Sequence, residues 1–236
     1  MKKEVLQNND KLNIFKQKQI QPERTVLKEV SEKIQQKYEQ QLHESFQSLK
    51  NDQNLDSSWQ VCEEKDTFKY YIKEAENGLI YLRVQEQISV PAQKIIDFLE
   101  QLQNRSQYDD MYQSGQILGK INKQIELQVN ETKKVLMVAG RDFILLSQKI
   151  KEDDILYLVY SGTDDFDEQY PPHDGVVRGL ISYGGWIIKQ ISEQQTSVIF
   201  IAGSDPRGNL TQQVKKLAIQ RQAKGIKKLK QILESQ

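Results

Sequence analysis

Residues 176–202 read VVRGLISYGGWIIKQISEQQTSVIFIA, and this stretch sets the architecture expected of the whole chain. The runs 176–188 and 196–202 are rich in β-branched and aromatic residues and read as a pair of strands joined by a short turn. From Asn209 the apolar period lengthens to three or four. Leu210, Val214, Leu217, Ala218, Leu229, Ile232 and Leu233 share one face of a helix reaching about residue 233, with Lys216, Lys227 and Lys230 opposite and Lys224 at the edge.

The upstream sequence repeats the strand-pair pattern. Runs 143–150 and 156–163 flank the turn at Glu152, Asp153 and Asp154, and runs 117–121 and 125–129 flank Asn122 and Lys123. Short aromatic strands are expected over 59–64 and 67–72. Asn77-Gly78 is a strong hairpin turn signal. After it, Ile80, Leu82 and Val84 alternate with Tyr81, Arg83 and Gln85. Ser89 offers an N-cap and Pro91 a first-turn residue to a helix with the stripe Ile95, Phe98, Leu99 and Leu102, ending near Asn104. Val26, Val30, Ile34, Tyr38, Leu42, Phe46 and Leu49 mark a long amphipathic helix that begins near Glu23 and ends at Asn51-Asp52. Residues 1–22 are polar and aperiodic, a flexible tail closed by Pro22. About nine strands without βαβ alternation imply an α+β fold, an antiparallel sheet with helices at its ends and on one face. Residues 23–236 read as one domain.

Composition removes several function classes. The chain has 33 Lys+Arg against 33 Asp+Glu, so it lacks the cationic surplus of a general nucleic-acid binder. One cysteine, Cys62, excludes an internal disulfide and any multi-cysteine zinc site, and points to a reducing compartment. Two histidines, His43 and His173, leave little for a metal centre, so no metal and no cofactor are expected. There is no apolar run long enough to span a bilayer, and no signal peptide is expected after Met1-Lys2-Lys3-Glu4. Ser147, Ser161 and Ser182 have no nucleophile-elbow context. The acids between Glu152 and Asp174 lack calcium-loop spacing and read as a solvated rim. Neutrality nevertheless hides an asymmetry: residues 207–236 carry eight basic side chains and one acid, whereas 152–174 carry eight acids and no Lys or Arg.

Four signals then occur in order. Arg105 with Tyr108-Asp109 follows a helix; Arg141-Asp142-Phe143 opens a strand; Gly175-Val176-Val177-Arg178-Gly179 leads to Gly184-Gly185-Trp186; and Asp205-Pro206-Arg207-Gly208 precedes the last helix. In order and spacing they resemble the START family, the lipid-transfer domains related to steroidogenic acute regulatory protein, over roughly residues 25–236. The resemblance implies a helix-grip fold, in which a curved antiparallel sheet wraps the C-terminal helix around a tunnel for one lipid.

It also implies site residues. In phosphatidylcholine-binding members, the Arg matching Arg105 holds the lipid phosphate and the Asp matching Asp109 pairs with it. A guanidinium suits that role because its forked donors grip a phosphate bidentately. An ordinary surface pair, worth under about 1 kcal/mol, is the alternative reading. The aromatic cage that favours choline in those members is largely missing, because Phe143 is aromatic but Asn130 and Ser182 are not. Gln128 and Ser147 take positions where sterol-binding members place charges; both are neutral hydrogen-bonding groups, or else simply solvent-facing strand residues. Trp186 reads as a core aromatic or as tunnel wall, and Arg178 as a structural ion pair with Asp142 or Asp174. Val135, Leu136, Met137 and Val138 extend a strand, or form the loop gating the tunnel beside the helix. In that second reading, Lys224 and Lys227 attract an anionic membrane surface.

The function expected is a non-catalytic, monomeric lipid carrier. It is expected to be cytoplasmic and transiently peripheral to membranes, with a lipid as ligand and no nucleic-acid partner. The alternatives are a lipid sensor without net transfer, and a cyclase or aromatase on the same fold.

Overall fold

The computed structural model describes residues 31–135 and 137–235; the tail expected over 1–22 and the first part of the long helix, with Val26 and Val30, lie outside the described residues. Helix α1 (Glu32–Asn51) leads to strands β1 (Gln60–Lys65), β2 (Phe68–Glu74) and β3 (Ile80–Ile88). Helix α2 (Ala92–Glu100), a 3₁₀ turn (Leu102–Asn104) and the one-turn helix α3 (Arg105–Tyr108) follow. Strands β4 (Tyr112–Lys120), β5 (Ile125–Thr132), β6 (Gly140–Glu152) and β7 (Ile155–Gly162) come next. The chain ends with β8 (Val176–Arg178), β9 (Leu180–Ser192), β10 (Gln195–Asp205) and helix α4 (Gln212–Glu234). One sheet runs in the order β1-β2-β3-β10-β9-β7-β6-β5-β4, antiparallel throughout, and β8 pairs with β6 in parallel.

Strand alternation sends successive side chains to opposite faces, and each face acquires its own core. Outward, Tyr157, Val159, Ile187, Ile199 and Ile201 pack with Leu127, Val129, Ile144 and Leu146 beneath Tyr38, Leu42, Phe46 and Leu49 of α1. Inward, Leu82, Val84, Leu158, Trp186, Val198 and Phe200 meet Ile95, Ile96 and Leu99 of α2 and Ala223, Ile226, Leu229 and Leu233 of α4. Helices therefore cover both faces, where the sequence suggested one. The reason is that α1 has a full buried stripe, with Leu42 and Leu49 at zero exposure, and it needs a sheet face of its own.

Two local expectations change. The run 176–188 is two strands, broken at Gly179, whose N–H donates to the Asp142 carbonyl at 2.9 Å. Ser89 does not cap α2. Pro91 holds the cap position, the Ala92 N–H is taken by Gln190 Oε1 at 2.6 Å, and Ser89 N–H instead donates to Glu234 at the end of α4.

Candidate functional site

Between the inner face of the sheet and the N-terminal half of α4 lies a cavity of about 510 Å³. Its walls are Phe143 and Leu145 from β6, Ile181 and Ala202 from β9 and β10, and Leu210, Val214, Leu217 and Ala218 from the α4 segment. A second chamber of about 80 Å³ lies deeper, against Gln128, Tyr160, Trp186, Phe200 and Ile226. Arg105, Asp109, Asn130 and Gln222 line both, as do Leu145, Ile181 and Ala202, so the two spaces meet at a junction lined by polar and apolar groups.

The junction is built by α3. Arg105 and Asp109 lie four residues apart, and Arg105 Nε donates to Asp109 Oδ2 at 2.9 Å. Asp109 Oδ1 accepts the Met111 N–H at 3.0 Å, which fixes the carboxylate. The guanidinium carbon sits 5.4 Å from the centroid of the Tyr112 ring, a cation–π contact. Helix α4 presses on this turn at Gly225, where a Cβ would lie 2.9 Å from the Tyr108 carbonyl oxygen; a larger residue would hold the helix off.

Burial opposes the charge on Arg105, but the field and hydrogen bond of Asp109 outweigh it and hold the guanidinium above its ordinary pKa. It is a permanent cation, and only its Nε donates a hydrogen bond to the described residues. Burial pushes the phenols of Tyr108 and Tyr160 well above their ordinary pKa, so they line the site as neutral hydroxyls. Asn130 is 5% exposed, and its carboxamide oxygen has no hydrogen-bond partner among the described residues.

Arg141 also faces the cavity, yet its donors are occupied. Nη1, Nε and Nη2 bond the carbonyls of Ala139, Pro206 and Arg207 at 2.6, 3.0 and 3.1 Å. This side chain ties the segment after β10 to the base of the β5–β6 connection. In that connection Val135 and Val138 exchange two backbone hydrogen bonds, 3.0 and 2.9 Å, across a tight turn. Both valines line the cavity and Met137 is 95% exposed, while Leu136 lies outside the described residues.

The START domain family profile matches residues 35–236. The chain belongs to the START family. Its fold is shared by human StAR-related lipid transfer protein 5, at 18% identity over 84% of this chain and 99% of that one, with a TM-score of 0.74. Human STARD10 gives 17% identity, 80% and 78% coverage and a TM-score of 0.72. A STAR-related lipid transfer protein from Xanthomonas axonopodis gives 16%, 75%, 99% and 0.63. No curated protein matches by sequence.

The START domain places the expected residues unequally. Arg105 and Asp109 come together at the junction, Phe143 lines the outer chamber, and Gln128 and Trp186 line the inner one. Trp186 is also core, 4.7 Å from Phe200 by ring centroids. Ser147 is buried but lines neither chamber. Ser182 is not at the cage position: a bulge in β9 pairs Gly203 with Tyr183 and Ser204 with Ile181. Ile181 therefore faces the cavity, while exposed Ser182 lies 3.2 Å from the Tyr81 hydroxyl.

The lysine placement also changes. Lys227 pairs with Glu63 and lies 4.0 Å from the Phe68 ring centroid, and Lys230 pairs with Glu86; both are held at the β1–β3 side. Lys224 is exposed and does not line the cavity. The basic residues lining the outer chamber are instead Lys133, Lys215 and Arg221, beside Arg105 and Arg141. The acidic stretch is not a bare rim, since Glu152, Asp164, Asp165 and Asp167 pair with Lys50, Arg207, Lys37 and Arg178. Tyr160 and Gln222 were not expected as site residues, whereas Asn130, which lines both chambers, was weighed as a position of the cage. For Asn130 the signal was present, because alternation puts it on the face of Gln128.

Proposed function

We propose that this START domain is a non-catalytic lipid carrier holding one lipid in the two-chamber cavity, with its head group at Arg105. One observation carries this reading. Among the described residues Arg105 is hydrogen-bonded through Nε alone, and its two terminal nitrogens are left for an acceptor at the junction of an otherwise largely apolar cavity. A volume of about 510 Å³ falls within the usual range for small-molecule sites, about 300–1,000 Å³. Neither histidine lines a chamber: His43 is exposed on α1, and His173 Nδ1 lies 2.9 Å from Glu131. Arg105→Ala removes a charge-assisted contact worth about 1.5–3 kcal/mol, so phospholipid affinity falls at least about tenfold. Unchanged affinity in a variant folded by circular dichroism removes Arg105 from the site.

Met137 is exposed in the turn between Val135 and Val138, which line the outer chamber together with Lys133, Lys215 and Arg221. This combination supports transient docking on an anionic leaflet, whose field attracts each nearby cation by about 1 kcal/mol. Among the described residues, no helix is long and apolar enough to cross a membrane. Joint replacement Lys215→Glu and Arg221→Glu slows transfer from anionic vesicles at low salt more than transfer from neutral vesicles. A wild-type transfer rate in that variant places the docking surface elsewhere. Transfer between labelled and acceptor vesicles also separates a carrier from a sensor.

A further inference from the structure

We infer that the inner chamber selects lipids whose head group carries an O–H or N–H donor, and that Asn130 is the specificity-determining residue. This rests on the lipid-carrier reading and adds the class of lipid. Two unmatched groups meet at the junction. Among the described residues, the terminal nitrogens of Arg105 lack an acceptor and the buried Asn130 oxygen lacks a donor. The Tyr112 hydroxyl, on the neighbouring strand, does not close the gap. Tyr112 Oη and Asn130 Oδ1 lie 2.4 and 2.7 Å from where a Cβ on Gly115 would stand, and no hydrogen bond joins them. Gln128 and Gln222 add neutral carboxamides to the chamber wall.

A head group that satisfies both must accept from Arg105 and donate to Asn130. A hydroxyl does so with one oxygen. A phosphoethanolamine does so with its phosphate and its ammonium. A phosphocholine accepts but has no N–H, so it leaves Asn130 unmatched. With about 80 Å³, the inner chamber has room for a small protic group of a few waters' size, at about 30 Å³ per water. A buried acceptor left without its donor weakens binding by about tenfold or more.

The test measures binding of the full chain to phosphatidylethanolamine, its N,N-dimethyl derivative and phosphatidylcholine with identical acyl chains. A second arm compares diacylglycerol with its O-methyl ether. The expected result is that affinity drops about tenfold or more at the step that removes the last donor, in one arm or both. A drop in the first arm assigns an N–H head, and a drop in the second assigns an O–H head. Asn130→Leu abolishes that step, leaving the paired lipids within about twofold. Equal wild-type binding within every donor and methylated pair overturns the inference and leaves the carrier reading standing. Binding of no lipid in either arm overturns both.

Discussion

Two arginines of this START domain each pair with an aspartate, and they differ in what is left over. Arg178, on the β8 side of the sheet, has no free end. Its Nε and Nη2 reach Asp142 at 2.9 and 3.0 Å, Nη1 reaches Asp167, and Nη2 also reaches the Tyr170 carbonyl at 2.7 Å. Arg105, on the inner side, commits one nitrogen to Asp109 and turns the others to a cavity. In both, burial opposes the charge and the carboxylate partners outweigh it, so both pKa values are raised. Electrostatics alone does not tell them apart; hydrogen-bond completeness does. A closed set of donors holds two strands together, and an open set awaits a ligand.

The largest effect expected from this contrast is at Arg178. Its side chain is 6% exposed and that of Asp142 is fully buried, so Arg178→Ala removes two charge-assisted hydrogen bonds from a buried carboxylate. Such a loss costs about 3–5 kcal/mol, a large share of a domain's stability of about 5–15 kcal/mol. Denaturant unfolding of the variant should show that loss, while the ranking of lipids is unchanged in the protein that remains folded. A ranking that shifts would mean the two arginines are coupled.

An intermediate effect is expected at Gly225→Val. The new side chain meets the Tyr108 backbone, which cannot yield as a flexible side chain would, and so α4 moves off α3. Overpacking of this kind costs about 1–3 kcal/mol. Because the displaced turn carries Arg105 and Asp109, lipid affinity falls together with stability. Calorimetry alongside a binding assay checks both, and full affinity in a destabilised variant would show that the helix contact does not position the pair.

The smallest effect belongs to the exposed pair Lys37–Asp165, whose side chains are 57% and 41% accessible. Lys37→Ala should cost less than about 1 kcal/mol. The Lys37 hydrogen bond is the main reason the Asp165 carboxyl lies below its ordinary pKa. A depressed carboxyl stabilises the fold above its unfolded pKa, about 3.9, and that contribution is lost as pH falls through the lower folded value. Melting curves of variant and wild type should differ slightly at neutral pH and converge in acid. A gap that widens on acidification would show that another group sets it.

Much of this was legible in the sequence, for identifiable reasons. Period-2 alternation and turn residues such as Asn77-Gly78 report local geometry, and they placed the hairpins and α4 within a few residues. The four-residue spacing of Arg105 and Asp109 kept them on one side of a turn. What was not legible depends on partners distant in sequence. Arg178 was expected to pair with Asp142 or Asp174, but the parallel pairing of β8 with β6 that selects Asp142 leaves no mark in the alternation of 176–188. A one-residue bulge exchanged Ser182 for Ile181, which alternation cannot foresee. On α4, apolar Leu217 is 40% exposed although it belongs to the expected face, because the N-terminal half of the helix borders a cavity rather than a packed core. The same geometry makes Lys215 and Arg221 cavity neighbours while Lys227 closes on Glu63.

Whether the open donors of Arg105 exist to hold a lipid is answered most directly by native mass spectrometry of the full chain after incubation with mixed-lipid vesicles. The account predicts one lipid per chain, a single adduct that does not increase in number with lipid concentration, as one cavity of limited volume requires. A chain that stays at its bare mass with every lipid class would contradict it, as would several adducts that accumulate with concentration.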